Sequence, residues 1–117
     1  MKVFVRLAVV GALGLVLSGC KRVAPPTPLA ELNTQQMSGH AVFQTRCGAC
    51  HYDRRDAALH GPAMISVFKK PYLPSGAPAN DERVTATILH GHGLMPGLGA
   101  RMDDQDMADL LAYLHTL

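Results

Sequence analysis

The chain has 117 residues, 48% of them apolar and 17% charged, with 11 Lys and Arg against 9 Asp and Glu. That length holds one domain at most, and part of the apolar share belongs to an export signal rather than to a core. The charge balance does not support a basic, nucleic-acid-binding protein, the less so because Lys2 and Arg6 sit in that signal and leave nine cations against nine anions.

Lys2 and Arg6 precede an uncharged apolar run from Leu7 to Leu17, followed by Ser18-Gly19-Cys20. A basic start, an apolar stretch and small residues before a cut form a signal peptide over residues 1–19. As a helix, the run from 7 to 17 would span only about 16 Å of a hydrocarbon core of about 30 Å. Leu17-Ser18-Gly19-Cys20 resembles the lipobox of bacterial lipoproteins, which implies that Cys20 becomes the lipidated first residue of the mature chain. That accounts for an odd third cysteine, otherwise a free thiol in an oxidising compartment. Buried acyl chains would hold the protein on the periplasmic side of the bacterial envelope. Lys21 is not the Asp that retains enteric lipoproteins at the inner membrane, and which membrane carries the anchor stays open. Residues 20–32, with Pro25, Pro26 and Pro28, read as a semi-rigid tether that lifts a domain by about 35 Å at most.

The globular part, residues 33–117, opens with Asn33 as an N-cap and Gln36 as its capping-box partner. The helix runs to about Gly48 and puts Gly39, Phe43 and Cys47 on one face. Cys47-Gly48-Ala49-Cys50-His51 follows, a C-x-x-C-H run, the attachment signature of c-type haem. Two thiols three positions apart point the same way and can each add to one vinyl group of a porphyrin, while the next imidazole sits under the iron. A zinc half-site would need two further ligands at similar spacing, and a thioredoxin-type pair would follow a strand in a βαβ pattern; the sequence offers neither.

Residues 52–61 read as a polar loop with a weak helical tendency, punctuated by Gly61-Pro62, whose prolyl carbonyl is free to accept the second ring N–H of an axial histidine. Met64, Ile65 and Phe68 make a short apolar helix face, and residues 69–79 a surface loop. Asn80 caps the next helix, with Asp81 and Glu82 in its first turn, and Gly91 or Gly93 ends it. His90-Gly-His-Gly-Leu-Met-Pro-Gly is an irregular loop holding Met95. In the last helix Met107, Leu110, Leu111 and Leu114 stand at i, i+3, i+4, i+7, with Asp103 to Asp106 as cap and first turn and His115 at the C-terminal end. No segment shows a strand pattern. Arg46, Arg54, Arg55, Lys69 and Lys70 read as ordinary solvated charges ahead of a ring around a haem edge.

From about Gly39 to Leu117 the chain resembles a small single-haem cytochrome c of the class I type. The resemblance implies an all-α fold of three to five helices around one covalent haem c. Cys47 and Cys50 match its thioether cysteines, His51 its proximal ligand, and Pro62 the residue whose carbonyl receives the His51 ring N–H. Met95 in Met-Pro-Gly matches the distal sulfur ligand. Gly39 and Phe43 match the N-terminal helix residues that cross the C-terminal helix, where Tyr113 supplies the facing aromatic. The His90-Gly-His92 pair departs from the family pattern, so His92 stays open as a distal ligand, and so does Met102. Met107 lies in the core stripe, Met37 precedes the haem helix and Met64 falls near the proximal side.

The function implied is one-electron transfer rather than enzymatic chemistry, because two strong protein ligands leave iron no open position. Its partners would be redox proteins, a dehydrogenase, an oxidase or another cytochrome, beside the membrane that holds the anchor. Two other classes stay open: a fixed electron-transfer subunit of a membrane-bound dehydrogenase or oxidase complex, and a haem enzyme or sensor with an open distal site.

Overall fold

Asn33 starts the first helix because its side chain and that of Gln36 satisfy each other's backbone amides. Asn33 Oδ1 accepts from the Gln36 N–H at 2.8 Å, and Gln36 Oε1 accepts from the Asn33 N–H at 2.9 Å. This is helix α1, Thr34–Arg46, in a computed structural model that describes residues 22–117. The signal segment and Cys20 lie outside the described residues. Helix α2, Asp81–His90, opens on Asn80, whose Oδ1 accepts from the Arg83 N–H, and stops at Gly91, where φ is +81°. Helix α3, Asp104–Leu114, opens on Asp103, which accepts from the Asp106 N–H at 2.7 Å. Short 3-10 turns cover Leu29–Glu31 and Gly99–Arg101. Among the described residues there is no strand, only isolated pairings of Tyr72 with Pro78 and of His92 with Met95. The fold is the small all-α one expected.

Helices α1 and α3 cross at Gly39. A Cβ there would collide with the Asp109 carbonyl and crowd Tyr113 Cβ, so only glycine lets the backbones meet. One turn on, Phe43 meets Tyr113 edge-on, centroids 6.0 Å apart, and both rings are buried. Leu110, Leu114 and Leu117 complete the α3 side, and α2 adds Val84 and Ile88 to the same core. Leu111, expected in the stripe, is only half-buried, while Tyr113 is fully buried in its place.

Two stretches depart from expectation. Met64 to Phe68 form no helix. Ser66 takes a left-handed conformation, φ +62°, that breaks any helical run, and its N–H donates to the carbonyl of Leu117. The long-range bond wins over a helix too short to sustain itself, and it is Val67 that enters the core. The proline-rich stretch lies against the body from Ala24 onward. The Thr27 N–H donates to the Thr116 carbonyl at 2.8 Å, Lys69 Nζ to the Ala24 carbonyl at 2.9 Å and Arg54 Nη2 to the Thr27 carbonyl, while Leu32 packs on the core. Among the described residues no helix is long and apolar enough to cross a membrane.

The crossing yields a stability prediction. Gly39→Ala must push the α3 backbone away at its closest approach and should cost about 3 kcal/mol, the upper range for overpacking a core. Denaturant unfolding of the holoprotein measures it. A midpoint equal to wild type would show that the helices can separate freely.

Candidate haem-binding site

Cys47 is the C-cap of α1, its N–H donating to the Phe43 carbonyl, so the packing of Phe43 fixes where the motif begins. The Cys50 and His51 N–H groups both donate to the Cys47 carbonyl at 3.0 Å, which curls the C-x-x-C-H run around one oxygen. The helix therefore ends at Arg46, a residue or two earlier than expected, and the motif occupies the turn after it. Cys47 packs partly into the core and Cys50 is exposed. Before attachment to haem, burial, and secondarily the neighbouring Cys50, push the Cys47 thiol up to about 11. That is the reverse of the activated thiolate of a disulfide oxidoreductase.

His51 is set by the loop that follows it. Its Nδ1 lies 2.8 Å from the Pro62 carbonyl oxygen. A carbonyl only accepts, so Nδ1 carries the hydrogen and Nε2 keeps its lone pair for a metal. The loop is folded back to make this contact: the Gly61 N–H donates to the Cys50 carbonyl at 2.8 Å and the Met64 N–H to the Tyr52 carbonyl at 2.8 Å. A Cβ on Gly61 would land on the His51 ring, so the loop can close only with glycine there.

Met95 stands on the other side of the sequence, just after α2. The Met95 N–H donates to the His92 carbonyl at 2.9 Å and the His92 N–H to the Met95 carbonyl at 3.1 Å, closing a tight hairpin. Gly93, with φ +57°, makes that turn and leaves Leu94 fully exposed at its tip. Met95 is half-buried and packs on the core, His92 is exposed, and Met102 is buried within the core beside Met107.

Further polar contacts tie the loop after His51 to the helix crossing, and nothing local in the sequence marks them. The Tyr113 hydroxyl donates to Asp53 Oδ2 at 2.6 Å, and Arg54 Nε donates to the Tyr113 oxygen at 3.3 Å. Gln44 Nε2 donates to the same Asp53 oxygen at 3.1 Å. Burial first, and then the bond to Asp53, hold the Tyr113 phenol well above its ordinary range. Two of the five cations read as solvated are thus engaged, Arg54 here and Lys69 at Ala24, while Arg55 lies over the Tyr52 ring.

The residues present fit a covalently attached haem. Two thiols lie on one turn, one imidazole offers a free Nε2, and one thioether sits on a tight hairpin. Cys47, Met64, Phe68, Leu73, Met95 and Leu98 are half-buried apolar side chains against the core, which a flat apolar group would cover. A family model described as cytochrome c oxidase, cbb3-type, subunit III matches residues 34–114. The chain belongs to the c-type cytochromes. It is 31% identical over 80 residues to a cytochrome c6 of Picosynechococcus sp., covering 66% of this chain and 68% of the relative. Against a cytochrome c6 of Synechocystis sp. the identity is 32% over 76 residues, covering 65% and 60% of the two chains. Against that of Tetradesmus obliquus it is 26% over 77 residues, covering 66% and 84%. One covalently bound haem c is therefore its cofactor and electron transfer its work. The family match begins at Thr34, so the segment from Ala24 to Asn33 lies outside it.

The Asp53–Tyr113 bond predicts its own removal. Tyr113→Phe keeps the ring and leaves Asp53 a donor short, at a cost of about 2 kcal/mol. For a domain of this size that is roughly 10 °C in Tm. Thermal unfolding followed by circular dichroism reads it, and an unchanged Tm would assign the network no share in stability.

Proposed function

We propose that the protein is a membrane-tethered one-electron carrier on the periplasmic side of a bacterial envelope. In this reading Cys47 and Cys50 would form the thioethers, His51 and Met95 would hold the iron, and Cys20 would carry the lipid. The observation that carries it is the His51 ring, fixed by the Pro62 carbonyl directly after two cysteines of one turn. When bound, the haem supplies a one-electron couple at its iron. The Nδ1–H bond to Pro62 holds the His51 ring in one orientation and makes Nε2 a better donor. Met95 offers a thioether, which favours reduced iron, from a hairpin whose paired backbone bonds fix its reach. The apolar side chains around Met64 and Phe68 keep water from the site and so raise the potential further. With His51 and Met95 both holding the iron, no place would remain for a substrate, as a carrier rather than an enzyme or gas sensor requires. His92 is exposed and Met102 is buried in the core, so Met95 is the better placed distal donor.

A second reading is favoured by the description of the matching family model, an oxidase subunit. Here the same domain is a fixed electron-transfer subunit of a membrane-bound oxidase or dehydrogenase complex. Purification of the tagged, lipidated protein from mild detergent separates the two: a carrier comes alone, a subunit with stoichiometric partners.

Met95→Ala should open the iron, so that the reduced protein binds carbon monoxide quickly and its midpoint potential falls. His92 could then reach the iron and keep it closed, an escape that Met95→Ala/His92→Ala removes. Wild-type protein that binds carbon monoxide as readily as this double variant would give the function to an enzyme or sensor.

The attachment cysteines make a second prediction. A domain of about 100 residues has a marginal core without help, and the half-buried apolar rim needs its cofactor. Cys47→Ala/Cys50→Ala should therefore leave a chain largely unfolded by far-ultraviolet circular dichroism. A cooperatively folded apoprotein would contradict this.

A further inference from the structure

The chain leaves the folded body at Ala24, far earlier than a tether ending at residue 32 would allow. Three bonds from different parts of the fold hold it there: Thr27 to Thr116 at the end of α3, Ala24 to Lys69, and Thr27 to Arg54. Leu32 packs on the core behind them. Between Cys20 and Ala24 stand only Lys21, Arg22 and Val23, which reach about 14 Å when fully extended.

Cations gather at this exit, and Asp53, the acid next to Arg54, is engaged by Tyr113 and Gln44. Lys69 is bonded to the Ala24 carbonyl and Lys70 is exposed beside it, while Lys21 and the exposed Arg22 precede Ala24 in the chain. The carboxylate reached from Lys69 through Phe68 is Asp81, and it is paired with His115, whose ring stacks on Phe68 at 3.9 Å. The acid on the docked segment, Glu31, lies at its far end. Exposed Val23 adds an apolar residue between the cations and the body.

We infer that this face, bearing Arg22, Lys69 and Lys70, rests on an anionic lipid surface, held there by the docked segment 24–32. The inference rests on lipidation of Cys20, proposed above. An anchor a few residues from the body concentrates the cations at the headgroups, where opposite charge attracts within a Debye length. The body is then held in one orientation instead of swinging on a long spacer. Its redox partners are ones that present their docking sites close to the same membrane.

The lipidated holoprotein in vesicles tests this, with the haem quenching a fluorophore on the lipid headgroups. In vesicles of seven parts phosphatidylcholine to three of phosphatidylglycerol, quenching should be at least twofold stronger than in pure phosphatidylcholine. A twelve-residue Gly/Ser insertion between Val23 and Ala24 leaves the docked segment intact and should lower quenching at least twofold. Arg22→Gln/Lys70→Gln should lower it in the anionic vesicles alone, with the visible spectrum unchanged. Amide exchange should show the Thr27 N–H protected about a hundredfold over a free chain. Quenching indifferent to the insertion and to lipid charge, or an unprotected Thr27, overturns the docked face. An unmodified Cys20, read by mass spectrometry of the N-terminal peptide, overturns the anchoring reading and takes the docked face with it.

Discussion

The structure depends on the contact of two backbones at Gly39. Because no Cβ stands there, α1 and α3 approach until Phe43 and Tyr113 interlock, and this one contact places both ends of the segment that carries the C-x-x-C-H motif. Phe43 receives the Cys47 N–H through its carbonyl, so the start of the C-x-x-C-H turn follows from where Phe43 packs. Tyr113, fixed from the opposite helix, sends its hydroxyl to Asp53, two residues beyond His51. The crossing thus grips the motif at both ends. Over the sequence between them the chain has little regular structure, and these grips stand in for it.

The His51 side is positioned without an observed strained residue in the ligand loop itself. Gly61 makes room where any side chain would strike the imidazole, and Pro62 contributes a carbonyl. The two residues divide the work: one allows the approach, the other fixes the tautomer once it is made. In the folded protein this bond holds the imidazole in one orientation with Nε2 left to donate. The half-buried apolar side chains against the core offer area that a bound haem would cover. Folding and cofactor attachment are coupled there by area rather than by bonds.

What could be read from the sequence was what is local. The caps at Asn33, Asn80 and Asp103, the glycine stop at Gly91 and the buried face of α3 are each decided within four residues, and all appear. The approach of His51 to Pro62 spans eleven positions: the sequence offers the free prolyl carbonyl as an acceptor, and the family resemblance pairs it with His51. What stayed hidden was decided at long range. Ser66 leaves the helical region for a carbonyl at the C-terminus, fifty-one positions away, and no periodicity in Met64 to Phe68 records that. Arg54, Lys69 and Asp53 are charged residues in loops, for which solvation is the sound expectation until a buried tyrosine or a docked carbonyl is known to face them. The proline-rich stretch reads as a spacer because its composition forbids a helix, yet extended backbone is also what lies flat on a body and pairs one amide at a time.

These differences in range set the two sides of the site apart in stability. The loop carrying His51 is tied to remote parts of the chain: Tyr113 from α3, and Thr27 through Arg54. Opening it requires the helix crossing itself to loosen. The hairpin carrying Met95 is held by His92 and Met95 to each other and by the Leu98 N–H to the Ile88 carbonyl, all within eleven residues of sequence. Local bonds can break without disturbing the core, so the free energy of opening is lower on this side. If Met95 is the distal ligand, it is the one that thermal fluctuation releases first, while His51 stays in place until the whole domain unfolds. The fold therefore ties the His51 side to α3 and to the N-terminal segment, and holds the Met95 side by bonds of shorter range.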